Sequence, residues 1–396
     1  MHNFKDVFQR RVLPSDLALI FVVFNEHHAS IRDARKPSPD QIIQLHAAGG
    51  FDLSRMLCYM DNGKEIRLGL LHVTGHDIKH GYAEGSIYNF GRGYKEKAYF
   101  TLALAQAALT LHLEEKIYTF TSDIILPNLE SEQFTYKTMG FNRLGIISKL
   151  YCKDGLLRDC LCGYGNFKTT YEHTAKLRTK GIWNDAAESV FRRADTLYRT
   201  LPPRHDVCGT PIIDIPQLHA VAPVGNRPPN LDLILRWSQE NQDQFPFGPI
   251  SIDHIRSMPP DGIYHTAELT IFPTFIDSDH HYMEIGCQIT DTVNNDTIAR
   301  MLVGLAEISL SLNVRNFIWR FPATATKAIC LGKMAGFKFM ESVPDMYVIN
   351  GKRYAGHCLW INRQGIIDVW RKAGLTCYPG LIDNLKECAD PVNGFF

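Results

Sequence analysis

The stretch NFGRGYKEKAYFTLALAQAAL, starting at Asn89, sets two glycines and several basic residues directly ahead of an apolar, alanine-rich run. From about Ala98 to Leu113 apolar residues recur at helical spacing and Ala and Leu dominate, so the run reads as a helix. The first N–H groups of a helix have no internal partner and form the positive end of its dipole. Gly91 and Gly93 let that backbone come close to a ligand, and Arg92, Lys95 and Lys97 add charge. The chemistry available to such a loop is to cradle a phosphate or pyrophosphate. Taken alone, the loop reads equally well as a solvated helix start with glycine as turn residue. A dinucleotide loop would need glycine where Glu96 stands, and a P-loop would need a Gly-Lys-Ser/Thr run that this segment lacks.

Metal chemistry has weaker support. The chain holds ten cysteines, and the closest group is Cys152, Cys160 and Cys162. None forms a Cys-x-x-Cys pair. The histidine pairs His27-His28 and His280-His281, like His357-Cys358, are adjacent rather than a helical turn apart. The expectation is no metal, with the cysteines as reduced core thiols.

The elements that must position the loop can be read on both sides of it. Helices are expected near Pro14–Glu26 and Pro39–Ala48. SRMLCYMD and IRLGLLHVTG form a hairpin around DNGK, and GYAEGSI is a third strand that delivers the chain to the loop. After the helix come the strand IYTFTSD, a short helix near Ser131–Met139, and a hairpin of RLGIISKLYC and LLRDCLCGYG turned at KDG. Tyr171–Thr200 is helical with an interruption at Gly181, and Leu231–Asn241 is a helix among proline-rich connections. The second half then repeats the order. Its strands are YHTAELTIFPTF, HYMEIGCQIT, NFIWRF and KRYAGHCLWIN, its helices TIARMLVGLAEISLSLN and ATKAICLGKMAGF, and two helices follow Asn362. AEGS (83–86) and EIGC (284–287) take corresponding places, as do KTMGF (137–141) and GKMAGF (332–337). A duplication is the simplest account. The expected division is an N-terminal domain 1–168, a helical connector 169–210 and a C-terminal domain 211–396.

From GYAEGSI through KTMGF, the sequence resembles the GNAT superfamily of acyl-CoA-dependent N-acyltransferases, and most closely the branch that acetylates ribosomal-protein N-termini. The resemblance covers most of residues 1–165 and implies an α/β (α+β) fold: two tandem GNAT-like domains, each a mixed, mostly antiparallel central sheet flanked by helices. The family loop, Arg/Gln-x-x-Gly-x-Gly/Ala, binds the CoA pyrophosphate. Gly93 falls on its first glycine, while Phe90 replaces the Arg/Gln and Lys95 the second Gly/Ala. The resemblance thus assigns Phe90, Gly91, Arg92, Gly93, Tyr94 and Lys95 to the cofactor. Gly85 and Ser86 would lie at the acyl carbonyl, and Asn128 and Ser131 near the pantetheine. Tyr136, four residues before Gly140, matches the position of a tyrosine general acid. Glu84 is the leading base candidate, with Asp77, His76 and His80 behind it. Each has a plain alternative: a packed aromatic for Tyr136, a helix cap for Asn128, a solvated strand residue for Glu84. In the second copy Asn294 and Thr297 replace the loop residues, Asp296 stands where a basic residue is usual, and Gly332 takes the tyrosine place. That copy is expected to be structural or substrate-shaping.

The implied reaction is transfer of an acyl group from acetyl-CoA or another acyl-CoA to an amine. The motif losses leave open a non-catalytic binding protein on the same scaffold, or an enzyme using an acyl carrier protein thioester. Lys+Arg and Asp+Glu both number 42, which argues against general attraction to nucleic acid or membrane. The apolar run Leu17–Phe24 is too short to span a bilayer, and no signal-peptide core precedes it. The expected setting is cytoplasmic.

Overall fold

In the computed structural model, Asn62 and Gly63 take positive φ (50° and 78°), the backbone a type I′ hairpin turn requires. The structure describes residues 4–28, 36–77, 80–90, 94–153, 155–200, 231–240, 251–290, 292–375 and 378–387. The chain is a mixed α/β protein with two sheets, each mostly antiparallel and flanked by helices. It divides into two units: Met1–Ile146 with Asp159–Arg204, and Ile147–Arg158 with His205–Phe396.

The first unit begins with β1 (Val7–Arg11), α1 (Leu17–Glu26), α2 (Pro39–Ala47), β2 (Arg55–Asp61), β3 (Lys64–Asp77) and β4 (Tyr82–Asn89). Next come α3 (Tyr94–Glu114), β5 (Thr119–Ile125), and α4 (Leu129–Glu132), which runs on as a π-helical stretch, Gln133–Thr138. β6 (Asn142–Lys153), β7 (Leu156–Asn166), α5 (Phe167–Thr179) and α6 (Asp185–Thr200) complete the series, with residues 147–158 of the β6–β7 hairpin counted in the second unit. The strand order is β1-β2-β3-β4-β5-β7-β6, and the β4–β5 pair is parallel.

One face of this sheet packs on α3. Leu71, Val73, Ala83 and Phe120 meet Phe100, Ala103, Ala107 and Leu111. The other face receives Ile20, Val23, Phe24 and Ile42 from α1 and α2 over Met56, Cys58 and Leu70. Helix α3 is buried almost all round, because α5 and α6 cover its remaining side through Leu109, Phe167, Phe191 and Ala194. The expected break at Gly181 is present, between α5 and α6.

The second unit carries α7 (Leu231–Glu240), α8 (Ile252–Ser257), β8 (Tyr264–His265), β9 (Leu269–Asp277), β10 (Tyr282–Ile289), α9 (Asn295–Ser311) and β11 (Asn316–Pro322). α10 (Thr326–Met334), β12 (Lys338–Phe339), β13 (Val343–Ile349), β14 (Lys352–Asn362), α11 (Arg363–Lys372) and α12 (Pro379–Glu387) follow. Its sheet runs β12-β14-β11-β10-β9-β8, with β13 paired to β14. Asn350 and Gly351 turn the β13–β14 hairpin at φ 51° and 74°, a second Asn-Gly turn.

Several unusual bonds recur in both units. Asp77 Oδ1 accepts the His80 amide (3.0 Å), and Asp277 Oδ1 accepts the His280 amide (2.9 Å). Gly81 O accepts from the Tyr118 and Thr119 amides, and His281 O from those of Arg315 and Asn316. Asn166 caps α5 and Asn362 caps α11. The parallel ladders begin at Tyr82↔Thr119 and Tyr282↔Asn316. This register places Glu84 and Glu284 at corresponding positions of the two ladders, 200 residues apart. Aligning Gly85 with Gly286 is one residue out of step.

Among the described residues no helix is long and apolar enough to cross a membrane. His72 lies between Phe24 and Phe51, with ring centroids at 5.7 and 5.0 Å, and pairs with the Ser54 hydroxyl at 2.9 Å. Burial pushes its pKa down to about 4, and burial does the same for His173. A histidine held neutral in the fold is more readily protonated in the unfolded chain, so stability is full above about pH 6.5 and falls as pH drops towards 4. Denaturant titrations at pH 7.5 and pH 5 should differ by about 2 kcal/mol for each of these histidines, and His72→Gln should remove its share of that difference.

Candidate functional site

The strands β4 and β5 pair at Tyr82↔Thr119, Ala83↔Phe120 and Glu84↔Thr121. The ladder ends there, yet β4 continues to Asn89 and β5 to Ile125. β4 is carried on by β3 as far as Gly69↔Asn89, and β5 by β7, from Thr119↔Asn166 to Ile125↔Cys160. Two neighbouring strands thus part because each keeps its outer partner. The Phe90 amide donates to Leu68 O at 2.7 Å, on the β3 side. Amide direction alternates along a strand, so Ser86 and Tyr88 also point their N–H groups at β3. The Glu84↔Thr121 pair is closed by the Gly85 amide, which donates to Thr121 O, so Ile87 is the first β4 residue whose N–H points towards the gap that β5 has left.

The α3 face of this gap holds two orphaned polar atoms. Ser122, the first β5 residue beyond the ladder, stands opposite Gly163 of β7. Tyr136 lies over Gly163, where a methyl group would come within 2.5 Å of the phenol oxygen. The glycine is what admits the ring. Neither the Tyr136 hydroxyl nor the Ser122 hydroxyl has a hydrogen-bond partner among the described residues, and both are buried. Arg143 lies 5.1 Å from the Tyr136 ring centroid. Burial, then the negative neighbours Cys162, Asp123 and Cys160, raise the Tyr136 pKa well above the ordinary tyrosine value. The group therefore stays protonated, a donor without an acceptor among the described residues.

Glu84 lies on the opposite face, with its carboxylate against Gly75; Thr74 and Thr121 are its strand partners. Tyr82 bonds Thr121 on that face through a 2.7 Å hydroxyl pair. His80 and Asp77 are buried in the β3–β4 turn. His76 is held below the usual histidine range by burial. Phe90 belongs to the cluster of α1 and α2. Asn128 caps α4: its Oδ1 accepts the Ser131 amide at 3.1 Å. Gly91, Arg92 and Gly93 lie outside the described residues; Tyr94 and Lys95 open α3, with side chains outside the description. The structure thus brings Gly85, Ser122 and Tyr136 to one face of the gap and places Glu84 and Ser86 on the other. Sequence reasoning missed Ser122, which has no motif of its own; its importance comes only from where the ladder stops.

The second unit has the same parting and different chemistry. Its ladder ends at Ile285↔Trp319, and a cavity of about 350 Å³ lies there, lined by residues that include Trp237, Cys287, Trp319 and Lys327. Glu284 forms an ion pair with Arg320 at 3.2 Å. Gly332 faces Leu359, so large and small residues are exchanged relative to Tyr136 and Gly163. Asn294 caps α9 by accepting the Thr297 amide at 2.9 Å, and the Thr297 hydroxyl bonds the same oxygen at 3.0 Å. One first-turn amide of α9 is thus satisfied by the side chain of its own cap residue.

No family model matches the chain, and no curated protein does. Among solved structures it is similar to a ribosomal-protein-alanine N-acetyltransferase from Brucella melitensis, with 17% identity over 40% of this chain and 99% of that one, TM-score 0.34. It is also similar to the spermidine N-acetyltransferase from Vibrio cholerae in complex with CoA and spermine, with 18% identity over 42% of this chain and 98% of that one, TM-score 0.35. An N-acetyltransferase from Staphylococcus aureus Mu50 aligns at 17% identity over 41% of this chain and 99% of that one, TM-score 0.34.

Since Asn128 holds an α4 amide, Asn128→Ala should lower the unfolding free energy by about 1 kcal/mol and Asn128→Ser by much less. Urea denaturation of the two variants checks this.

Proposed function

We propose that the chain is an acyl-CoA-dependent N-acyltransferase in which the first unit does the chemistry and the second is a duplicate that has lost it. The supporting observation is the pair of orphaned hydroxyls, Tyr136 and Ser122, buried where β4 and β5 part. A buried hydroxyl without a partner costs roughly 1–3 kcal/mol, a cost that a ligand with acceptor atoms in the gap removes. The two copies are taken as residues 1–168 and 211–396, joined by a helical connector, 169–210.

Bound acyl-CoA would supply an activated carbonyl and a thiolate leaving group. The residues present fit it. By the family resemblance, the segment Phe90–Lys95, of which residues 91–93 lie outside the described residues, would offer backbone amides and the basic residues Arg92 and Lys95 to its pyrophosphate. Ile87 N–H, the first β4 amide beyond the ladder, would hold the carbonyl oxygen and stabilise the charge that develops on it, next to Gly85 and Ser86, which the family resemblance assigns to the acyl carbonyl. Glu84 lies on the opposite face and takes the proton of the incoming amine, directly or through water. Tyr136, kept protonated by burial, returns a proton to the departing sulfur. Its side chain is held by Gly163 and the π-helical stretch that carries it, so the donor is aimed before any ligand enters.

Three features support the loss of chemistry in the second copy. Arg320 occupies the carboxylate of Glu284, Gly332 offers no acid, and Asn294 already uses the amide that a phosphate would need. Its cavity remains available to shape a substrate pocket.

Calorimetry with CoA tests the reading. Saturable binding is expected, weakened at least tenfold by Gly93→Trp and by Arg92→Glu. Tyr136→Phe should lower kcat about 100-fold with a Kd for CoA within about twofold of the wild type. A folded protein that neither binds CoA nor turns over acyl-CoA contradicts the proposal, and turnover with an acyl carrier alone would assign the donor to the carrier.

A further inference from the structure

Cys160 and Cys162 stand two residues apart on β7, and strand alternation puts both side chains on one face. Their sulfurs are 3.7 Å apart. Asp123 of β5 stands directly opposite Cys162. One donor atom from each of the three residues lies within 4.8 Å of the others. Both cysteines are buried, Cys160 completely. Asp123 lies two residues beyond Thr121, on the stretch of β5 that has left β4.

We propose that Asp123, Cys160 and Cys162 form a binding site for a zinc-class divalent cation with its fourth coordination position open. In a tetrahedral site with Zn–S bonds of about 2.3 Å, two thiolate sulfurs sit roughly 3.8 Å apart, and the observed pair is already at that spacing. Two thiolates and one carboxylate suit a borderline-soft ion and not magnesium or calcium, which take all-oxygen shells. Three protein ligands with an open fourth position is the pattern of zinc sites that bind water or a substrate atom. The ligands come from two paired strands, so the register, not a loop, sets their geometry. Binding replaces two S–H bonds by two metal–sulfur bonds; two protons go to solvent and no electron changes hands.

The second unit contains its own control. There Arg320 stands opposite Cys358 on paired strands, and Gly356 takes the place two residues earlier. A cation, a single thiol and no third donor make no site. Glu84, Thr121 and Asp123 share one sheet face by register, so a bound cation would lie on the face that carries the proposed base. The site does not depend on the acyl-transfer reading.

The test is a Co²⁺ titration of the metal-free full-length protein, followed by near-ultraviolet absorbance. A thiolate-to-cobalt charge-transfer band should saturate at about one equivalent and vanish when Zn²⁺ is added. The double variant Cys160→Ser/Cys162→Ser should lose the band, Asp123→Asn should bind at least tenfold more weakly, and Cys358→Ser should match the wild type. Alkylation of the wild type, mapped by mass spectrometry, gives a readout independent of how the variants fold: Zn²⁺ should slow labelling of Cys160 and Cys162 and leave Cys358 unchanged. Absence of the band, its survival in the double variant, or labelling of Cys160 and Cys162 unaffected by Zn²⁺ overturns the proposal.

Discussion

Everything proposed for the first unit depends on one parallel strand pair that stops early. The hydrogen bonds of Glu84↔Thr121 close the β4–β5 ladder, and beyond it each strand belongs to a different neighbour. Backbone amides in the middle of a sheet are normally consumed by the next strand, since a buried amide without a partner is costly. Here the sheet keeps its cohesion through β3 and β7; Gly85 makes the last bond to β5, and the amide of Ile87 is turned to a gap rather than to a strand. The helix α3 beneath, buried on nearly all sides, is the rigid floor that lets the two strands part without the unit coming apart.

Comparison of the two units separates the backbone features they share from the side chains in which they differ. The Asp-x-x-His turn, the carbonyl that accepts two successive amides, the asparagine cap after the last long strand and the parting of the parallel pair recur in both. These are backbone devices. What differs is the side chains at the parting. The first unit has a phenol over a glycine, and the second a glycine under a leucine. The first has an aspartate at the register position that an arginine holds in the second. An arginine next to Glu284 neutralises the one carboxylate the two gaps have in common. On the proposed function, the fold can be kept while the chemistry is discarded, because the shared backbone devices and the differing side chains hardly overlap.

Much of the architecture is legible in the sequence. The Asn62-Gly63 hairpin, the alanine-rich helix, the break near Gly181 and the helices after Asn362 all follow from turn chemistry and periodicity. Asn350-Gly351 carries the same hairpin signal as Asn62-Gly63 and marks β13, a strand that is hard to read because Pro344 and Asp345 interrupt its pattern. The five-residue β1, VFQRR, has too little alternation to stand out. The site is less legible. Residue types mark Tyr136 and Glu84, but Ser122 matters only because of where pairing ends, a long-range property. The cap role of Asn128 is local and could be read from the three-residue spacing to Ser131. The pair Cys160-x-Cys162 escapes a search for Cys-x-x-Cys spacing, which suits turns; on a strand, the spacing that puts two thiols together is two.

The central claim is that the Ile87 amide faces an open ligand site, whereas that of Gly85 is held by β5 and those of Ser86 and Tyr88 by β3. Residue-resolved hydrogen exchange by NMR, with and without acetyl-CoA, measures this directly. The account predicts fast exchange at Ile87 in the unliganded protein, slow exchange at Gly85, Ser86 and Tyr88, and protection of Ile87 on adding acetyl-CoA. Slow exchange at Ile87 without ligand, or no added protection there at saturating acetyl-CoA, would contradict it.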